Sequence, residues 1–258
     1  MNGVPDWFLD PANWQGPTGV PVLFRQHLGL SAAALGLACA SALPLALWLG
    51  HIGRGGQLAI NVSNIGRAVP TFALLALLAL GPLSFGNTST IVALVLFGIP
   101  PILTNAYVGM REVDRDVVEA ARGMGMSGME MLRRVELPLA TPLIMNGVRL
   151  AAVQIVATAT IAALVGGGGL GRIIVSGFGR QDTAALVSGA ILVALFAIAV
   201  EGSFALLARA MDPIRRVHRQ VGDPGGGGGG LRTDLGDGAA LTQGVLAATE
   251  NLRTGPAR

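Results

Sequence analysis

Hydrophobic and polar positions fall in long blocks along this chain. Five apolar stretches stand out: Leu28 to Gly50, a run within Leu58 to Leu83 that is purest after Arg67, Thr90 to Met110, Leu143 to Val165, and Ala184 to Met211. Roughly 20 mostly apolar residues are needed for a helix to cross the hydrocarbon core of a bilayer, so each stretch predicts a spanning helix. Between the fourth and fifth, Gly166 to Gly179 is too glycine-rich for a regular helix and reads as a loop or a short re-entrant piece buried in protein.

Composition supports this pattern. Hydrophobic residues make up 52% of the 258 residues and charged residues only 13%, whereas soluble domains carry about 25% charged residues. A lipid-facing surface requires that deficit, because lipid does not solvate charge. The net charge of +3 raises a nucleic-acid reading, but the arginines sit at the ends of apolar runs rather than in one patch, so no nucleic-acid partner is expected. The lone Cys39 excludes an intrachain disulfide and reads as a small buried hydrophobe. His27, His51 and His218 share no ligand spacing, and no metal site is expected. No basic residue precedes Arg25, so the beginning of the chain does not read as a cleavable signal.

Arginine placement predicts orientation. One side of the expected spans carries Arg54, Arg111, Arg115, Arg122, Arg133, Arg134, Arg209, Arg215, Arg216 and Arg219, and the other only Arg25, Arg172 and Arg180. Positive loops stay in the cytoplasm. The expectation is an all-α integral membrane protein with five transmembrane helices, its N-terminus outside and its C-terminus inside. Residues 1–27 would be an external arm and 28–212 the transmembrane domain, with a cytoplasmic loop over 111–142. Residues 213–258, which carry a run of six glycines after Pro224, would be a flexible cytoplasmic tail.

The 111–142 connection is patterned. Glu119, Ala120 and Ala121 open a helix-forming stretch, and Gly125 allows a sharp turn. Met126 to Arg134 follow, and then Val135, Glu136, Leu137 and Pro138. Pro138 lacks an amide proton and restricts Leu137 to extended conformations, which predicts a break there. Five of the eight methionines lie between Met110 and Met131; such flexible side chains suit a surface that repacks against a moving partner, or they fill the underside of the membrane domain.

The spacing Glu119-Ala120-Ala121, Gly125, Val135 and Leu137-Pro138 resembles the signature loop of ABC-importer permeases, with valine where isoleucine is commoner. The resemblance implies a type I, methionine-permease-like fold and a short coupling helix that docks on a separate ATPase subunit. Glu119, Ala120, Ala121, Gly125, Met126, Leu137 and Pro138 would be the coupling residues. It also implies two ATP-binding subunits, a second permease subunit, identical or related, and an external solute-binding protein. The chain has no lysine for a nucleotide-binding Walker loop, so ATP would be used by the partner, no cofactor would be bound here and no covalent chemistry catalysed. Gly166 to Gly171 formally matches the dinucleotide fingerprint G-x-G-x-x-G, but it follows a spanning helix instead of a strand.

That glycine segment (ALVGGGGLGRIIVSG), together with IPPILTNAYVGM from Ile99 and EAARGMGMS from Glu119, resembles permeases for osmoprotectants such as glycine betaine, choline and carnitine. NIGRAVPTFALLAL from Asn64 resembles them too, and methionine-uptake permeases share a related form of it. Asn64, Pro70, Asn105, Gln154 and Thr158 are candidates to line the path, although Asn105 and Gln154 are equally suited to hydrogen bonds between helices. Arg67 and Arg149 read as snorkelling at the interface, with Glu201 near it. Aromatics are only 5% and form no cluster within the spans, so solute specificity is expected on the external binding protein. Trp7, Phe8 and Trp14 would anchor the arm at the interface or touch that protein. Methionine is the alternative cargo; a channel or secondary transporter would have no use for the signature loop.

Overall fold

The computed structural model describes residues 3–67, 69–81 and 84–211. In chain order the helices are α1 (Val4–Leu9), α2 (Val20–Ile52), α3 (Gly56–Arg67), α4 (Thr71–Leu80), α5 (Asn87–Arg111), α6 (Arg115–Gly123), α7 (Gly128–Met131), α8 (Leu137–Ala159), α9 (Gly171–Gly179) and α10 (Thr183–Met211). Short 3₁₀ turns follow α1 (Pro11–Trp14) and α8 (Ile161–Val165), and a π-turn (Leu132–Glu136) joins α7 to α8. Among the described residues there is no strand.

Four helical stretches are long and apolar enough to cross a membrane: Val20–Ile52, Asn87–Arg111, Gly128–Ala159 and Thr183–Ala210. They correspond to the first, third, fourth and fifth expected spans. Residues 20–27, expected in the arm, form the first two turns of α2. The second expected span is not one helix. It is divided into α3, 12 residues, and α4, 10 residues, about 18 and 15 Å long at 1.5 Å per residue. Neither alone covers the hydrocarbon core. Pro70 stands at the N-cap of α4, where it has no amide proton to give a continuing helix and disfavours helical geometry just before it.

Two further expectations are corrected. Leu137 is helical (φ −63°, ψ −46°), not extended, and the helix runs unbroken from Gly128 to Ala159. The π-turn makes this tolerable: the Leu137 N–H bonds back to the carbonyl of Leu132, one residue beyond the usual partner, and the widened turn accommodates the ring of Pro138. Within Gly166 to Gly179, only the first five residues are irregular, since Gly171–Gly179 forms α9. The tail expected over 213–258, and His218 within it, lie outside the described residues.

The centre of the bundle is α2, α5 and α8. On α2, Ala34, Ala38, Ala42 and Ala46 recur every fourth residue and are all buried, against Leu94, Ile102, Leu103 and Ala106 of α5 and Ile155 and Ala159 of α8. Lipid is as apolar as a leucine side chain, so spanning helices associate through close packing, which small residues permit. Gly147 shows how close α8 comes to α5: a Cβ there would stand 2.7 Å from Asn105 Cβ and 2.8 Å from the Pro101 carbonyl oxygen. The α10 helix packs on α8 and α9 through Val156, Ile173 and Phe196, and Trp7 of α1 packs against the same cluster.

Candidate functional site

The segment between α5 and α8 folds under the end of the bundle where α2 and α5 finish. Asp114 caps α6, its carboxylate accepting from the Asp116 N–H at 2.9 Å. The helix is amphipathic. Val118 and Ala121 (2% exposed) enter a cluster with Ala46, Met110, Met131 and Ala140, whereas Glu119, Ala120 and Arg122 face outward. Gly125 (φ +82°) then reverses the chain in a conformation that a residue with a Cβ rarely adopts. The turn is closed by Gly125 N–H to Arg122 C=O (3.0 Å) and Met126 N–H to Ala121 C=O (3.3 Å). Ser127 caps α7 by accepting from Glu130 N–H at 3.3 Å, and Glu130 pairs with Arg134 one turn on.

The seven residues expected to couple therefore divide by position. Glu119, Ala120 and Gly125 lie on the exposed side, and Ala121, Met126 and Leu137 hold the segment to the bundle; Pro138 is exposed on the first turn of α8. The methionines divide too. Met124 (72% exposed) and Met129 (57%) flank the Gly125 turn and face outward, while Met110 and Met131 are buried in the underside. The buried pair fills the underside of the bundle, and the exposed pair leaves two flexible apolar side chains at the surface.

Three polar contacts were not foreseen. His51, in the last turn of α2, places Nδ1 2.5 Å from Oε2 of Glu136, which is buried in the π-turn. Arg149 of α8 and Glu201 of α10 form an ion pair between two spans; two opposite charges inside apolar runs were the available signal. His27 is fully buried: its Nδ1 accepts from Leu170 N–H (3.2 Å) and its Nε2 lies 3.0 Å from the Val156 carbonyl, a pairing that assigns the proton to Nε2. Gln26 and Asn87 accept from the N–H groups of Gly169 and Gly168. The Gly168, Gly169 and Leu170 amides are thus held by side chains of α2 and α5, and those of Gly166 and Gly167 by the Ala162 carbonyl, so the loop does not offer them to a phosphate.

The path candidates are dispersed. Asn105 donates to the Pro101 carbonyl (2.9 Å) and accepts from Asn146 on α8 (3.1 Å), a contact between helices. Gln154 and Thr158 are half-buried one turn apart on α8, Asn64 is exposed on α3, and Pro70 marks the break. Beside that break a cavity of about 260 Å³ is lined by Ser63, Val69, Leu74, Phe97 and Pro100. At the opposite end of the bundle the N-terminal arm covers a second cavity, of about 230 Å³, lined by Trp7, Asn13, Arg172, Ser176 and Arg180.

A helical bundle with four apolar spans, a break at a proline between two shorter helices and an amphipathic segment folded beneath one end define an all-α multi-pass membrane protein. Residues 42–213 match the family described as binding-protein-dependent transport system inner membrane component, and the chain belongs to that family. It is thus a permease subunit of the ABC-importer type, in the cell membrane. It is 35% identical over 188 residues to the glycine betaine/carnitine/choline transport system permease protein OpuCB of Bacillus subtilis (strain 168), an alignment covering 73% of this chain and 86% of that one. The choline transport system permease protein OpuBB of the same organism matches to the same extent. The osmoprotectant import permease protein OsmY of Salmonella typhimurium is 34% identical over 193 residues, covering 74% and 81%. Among solved structures, an inward-facing form of the MetNI methionine ABC transporter superposes with a TM-score of 0.65 at 22% identity, over 78% of this chain and 98% of that one, a likeness of fold.

Proposed function

We propose that this chain translocates a small quaternary-amine osmoprotectant, of the kind of glycine betaine, choline or carnitine, by alternating access driven by separate ATPase subunits. The observation that carries the solute assignment is the similarity, over about three quarters of the chain, to permeases named for those solutes. A zwitterion or soft cation needs no fixed counter-charge along its path, and the Arg149 and Glu201 charges of α8 and α10 are already paired with each other. Aromatic groups that recognise a quaternary ammonium would stand on an external binding protein, which delivers solute to the arm end of the bundle.

In this reading the chain pairs with a second permease subunit, and each docks an ATPase on the exposed face of α6 and the Gly125 turn. Glu119, Ala120, Met124 and Met129 form that face, and the ten-to-three arginine asymmetry supports a cytoplasmic side for it. The path runs past Asn64, the Pro70 break, Asn105, Gln154 and Thr158. The deciding experiment is uptake of labelled glycine betaine, choline, carnitine and methionine in cells lacking other transporters, with and without the complete operon. Betaine, choline or carnitine uptake that depends on the operon is expected. Methionine uptake alone would overturn the solute assignment.

A further inference from the structure

We propose that His51 and Glu136 are positioning residues for transport: a polar tie that makes the end of α2 follow the docking segment. This rests on the reading that α6 and the Gly125 turn dock an ATPase subunit.

The segment is held to the bundle mainly by apolar contacts of Val118, Ala121 and Met131. Such contacts are non-directional, and small slides along a buried apolar face change little. His51 and Glu136 differ in kind. Glu136 is 6% exposed, in the widened turn where α7 passes into α8, with its carboxylate 2.5 Å from His51 Nδ1. The other ring nitrogen of His51 lies against the first residue of α7: a Cβ on Gly128 would stand 3.4 Å from Nε2. One imidazole at the end of α2 therefore meets both ends of the stretch from Gly128 to Glu136. The π-turn contributes directly. One extra residue rotates what precedes it by about 100° relative to an uninterrupted α-helix, so the insertion sets which side of the docking segment faces down when Glu136 faces His51.

A carboxylate in this setting is unfavourable unless a partner meets it. That penalty selects one register of the segment against α2, since any slide that parts Glu136 from His51 leaves a buried charge alone. The pair supplies registry rather than net stability, a role known for buried polar pairs. Movement of the docking segment is then passed to α2 as a fixed displacement. Without the pair the segment still packs, but slips, and ATP hydrolysis proceeds without solute movement.

The test uses the complete transporter in proteoliposomes, with solute uptake and ATP hydrolysis measured in parallel, and with whichever of betaine, choline or carnitine the wild-type complex imports. His51→Leu/Glu136→Leu removes both polar groups at once, so no unpaired charge is left and assembly is retained. Expected are a normal yield of assembled complex, continuing ATP hydrolysis, and at least a tenfold fall in solute moved per ATP. The exchange His51→Glu/Glu136→His restores at least half of the wild-type ratio. A wild-type ratio in the double leucine variant, or failure of the exchange to restore it, overturns the tie. So does loss of assembly in both variants, which would make the pair merely structural. Glu119→Lys is run alongside: normal assembly and transport in that variant would overturn the docking reading itself. A defective Glu119→Lys beside a fully coupled double leucine variant would overturn the tie alone.

Discussion

Gly125 and Gly147 show two different demands that a missing Cβ can meet. At Gly125 the demand is conformational. Its φ of +82° would cost an L-residue about 1–2 kcal/mol, and a β-branched one no less, which lowers the population of the docking-competent turn about five- to thirtyfold. Gly125→Val is therefore expected to reduce co-purification of the ATPase subunit while leaving the amount of inserted chain unchanged. At Gly147 the demand is space. Gly147→Val must push α8 from Pro101 and Asn105, an overpacking cost of about 1–3 kcal/mol, read as earlier thermal unfolding of the purified complex. Gly36→Ala is the control, because a Cβ there meets nothing within 4 Å. Gly125 was legible in the sequence through its fixed distance from Glu119 and Pro138. Gly147 was not, since nothing near it in sequence reveals that Asn105 approaches it. The tie between His51 and Glu136 was hidden for the same reason: 85 residues separate the partners, and only the folded bundle brings them together.

Among the elements, α2, α5, α8 and α10 announce themselves by the length of their apolar runs, which lipid alone enforces. The α3–α4 pair does not, because mean hydropathy cannot distinguish one span from two half-length helices, and the break depends on the backbone around Pro70. The junction of α7 with α8 misleads in the opposite sense. A rule for the residue before proline predicts an end, and the π-turn removes the steric conflict on which that rule depends. Deleting Val135 tests what the extra residue does. The segment would return to ordinary α-helical register, turning α6 and α7 by about 100° relative to α8. The expected result is a chain that inserts normally, judged by protease resistance of the membrane-embedded part, but fails to retain the ATPase subunit on a purification column.

At the scale of the molecule, the arginine distribution predicts that the Gly125 turn and the 84–86 bend lie on opposite sides of the membrane. Single cysteines at Ser127 and Ser84, in a Cys39→Ala background, are expected to react differently with an impermeant thiol reagent: Ser84→Cys in intact cells, Ser127→Cys only after permeabilisation. Strong labelling of Ser127→Cys in intact cells would reverse the proposed orientation. The unbroken helix from Gly128 to Ala159 then has a mechanical consequence. The π-turn divides it into four residues on the docking side and twenty-three in α8, a lever with its fulcrum near one end. If the rod pivots at that turn, a shift of 1 Å at the short arm becomes roughly sixfold larger at the tip of the long one, since length is proportional to residue number. In the proposed mechanism a modest closure of the ATPases would be geared up by that ratio into a larger swing at the far face, with Glu136 at the fulcrum.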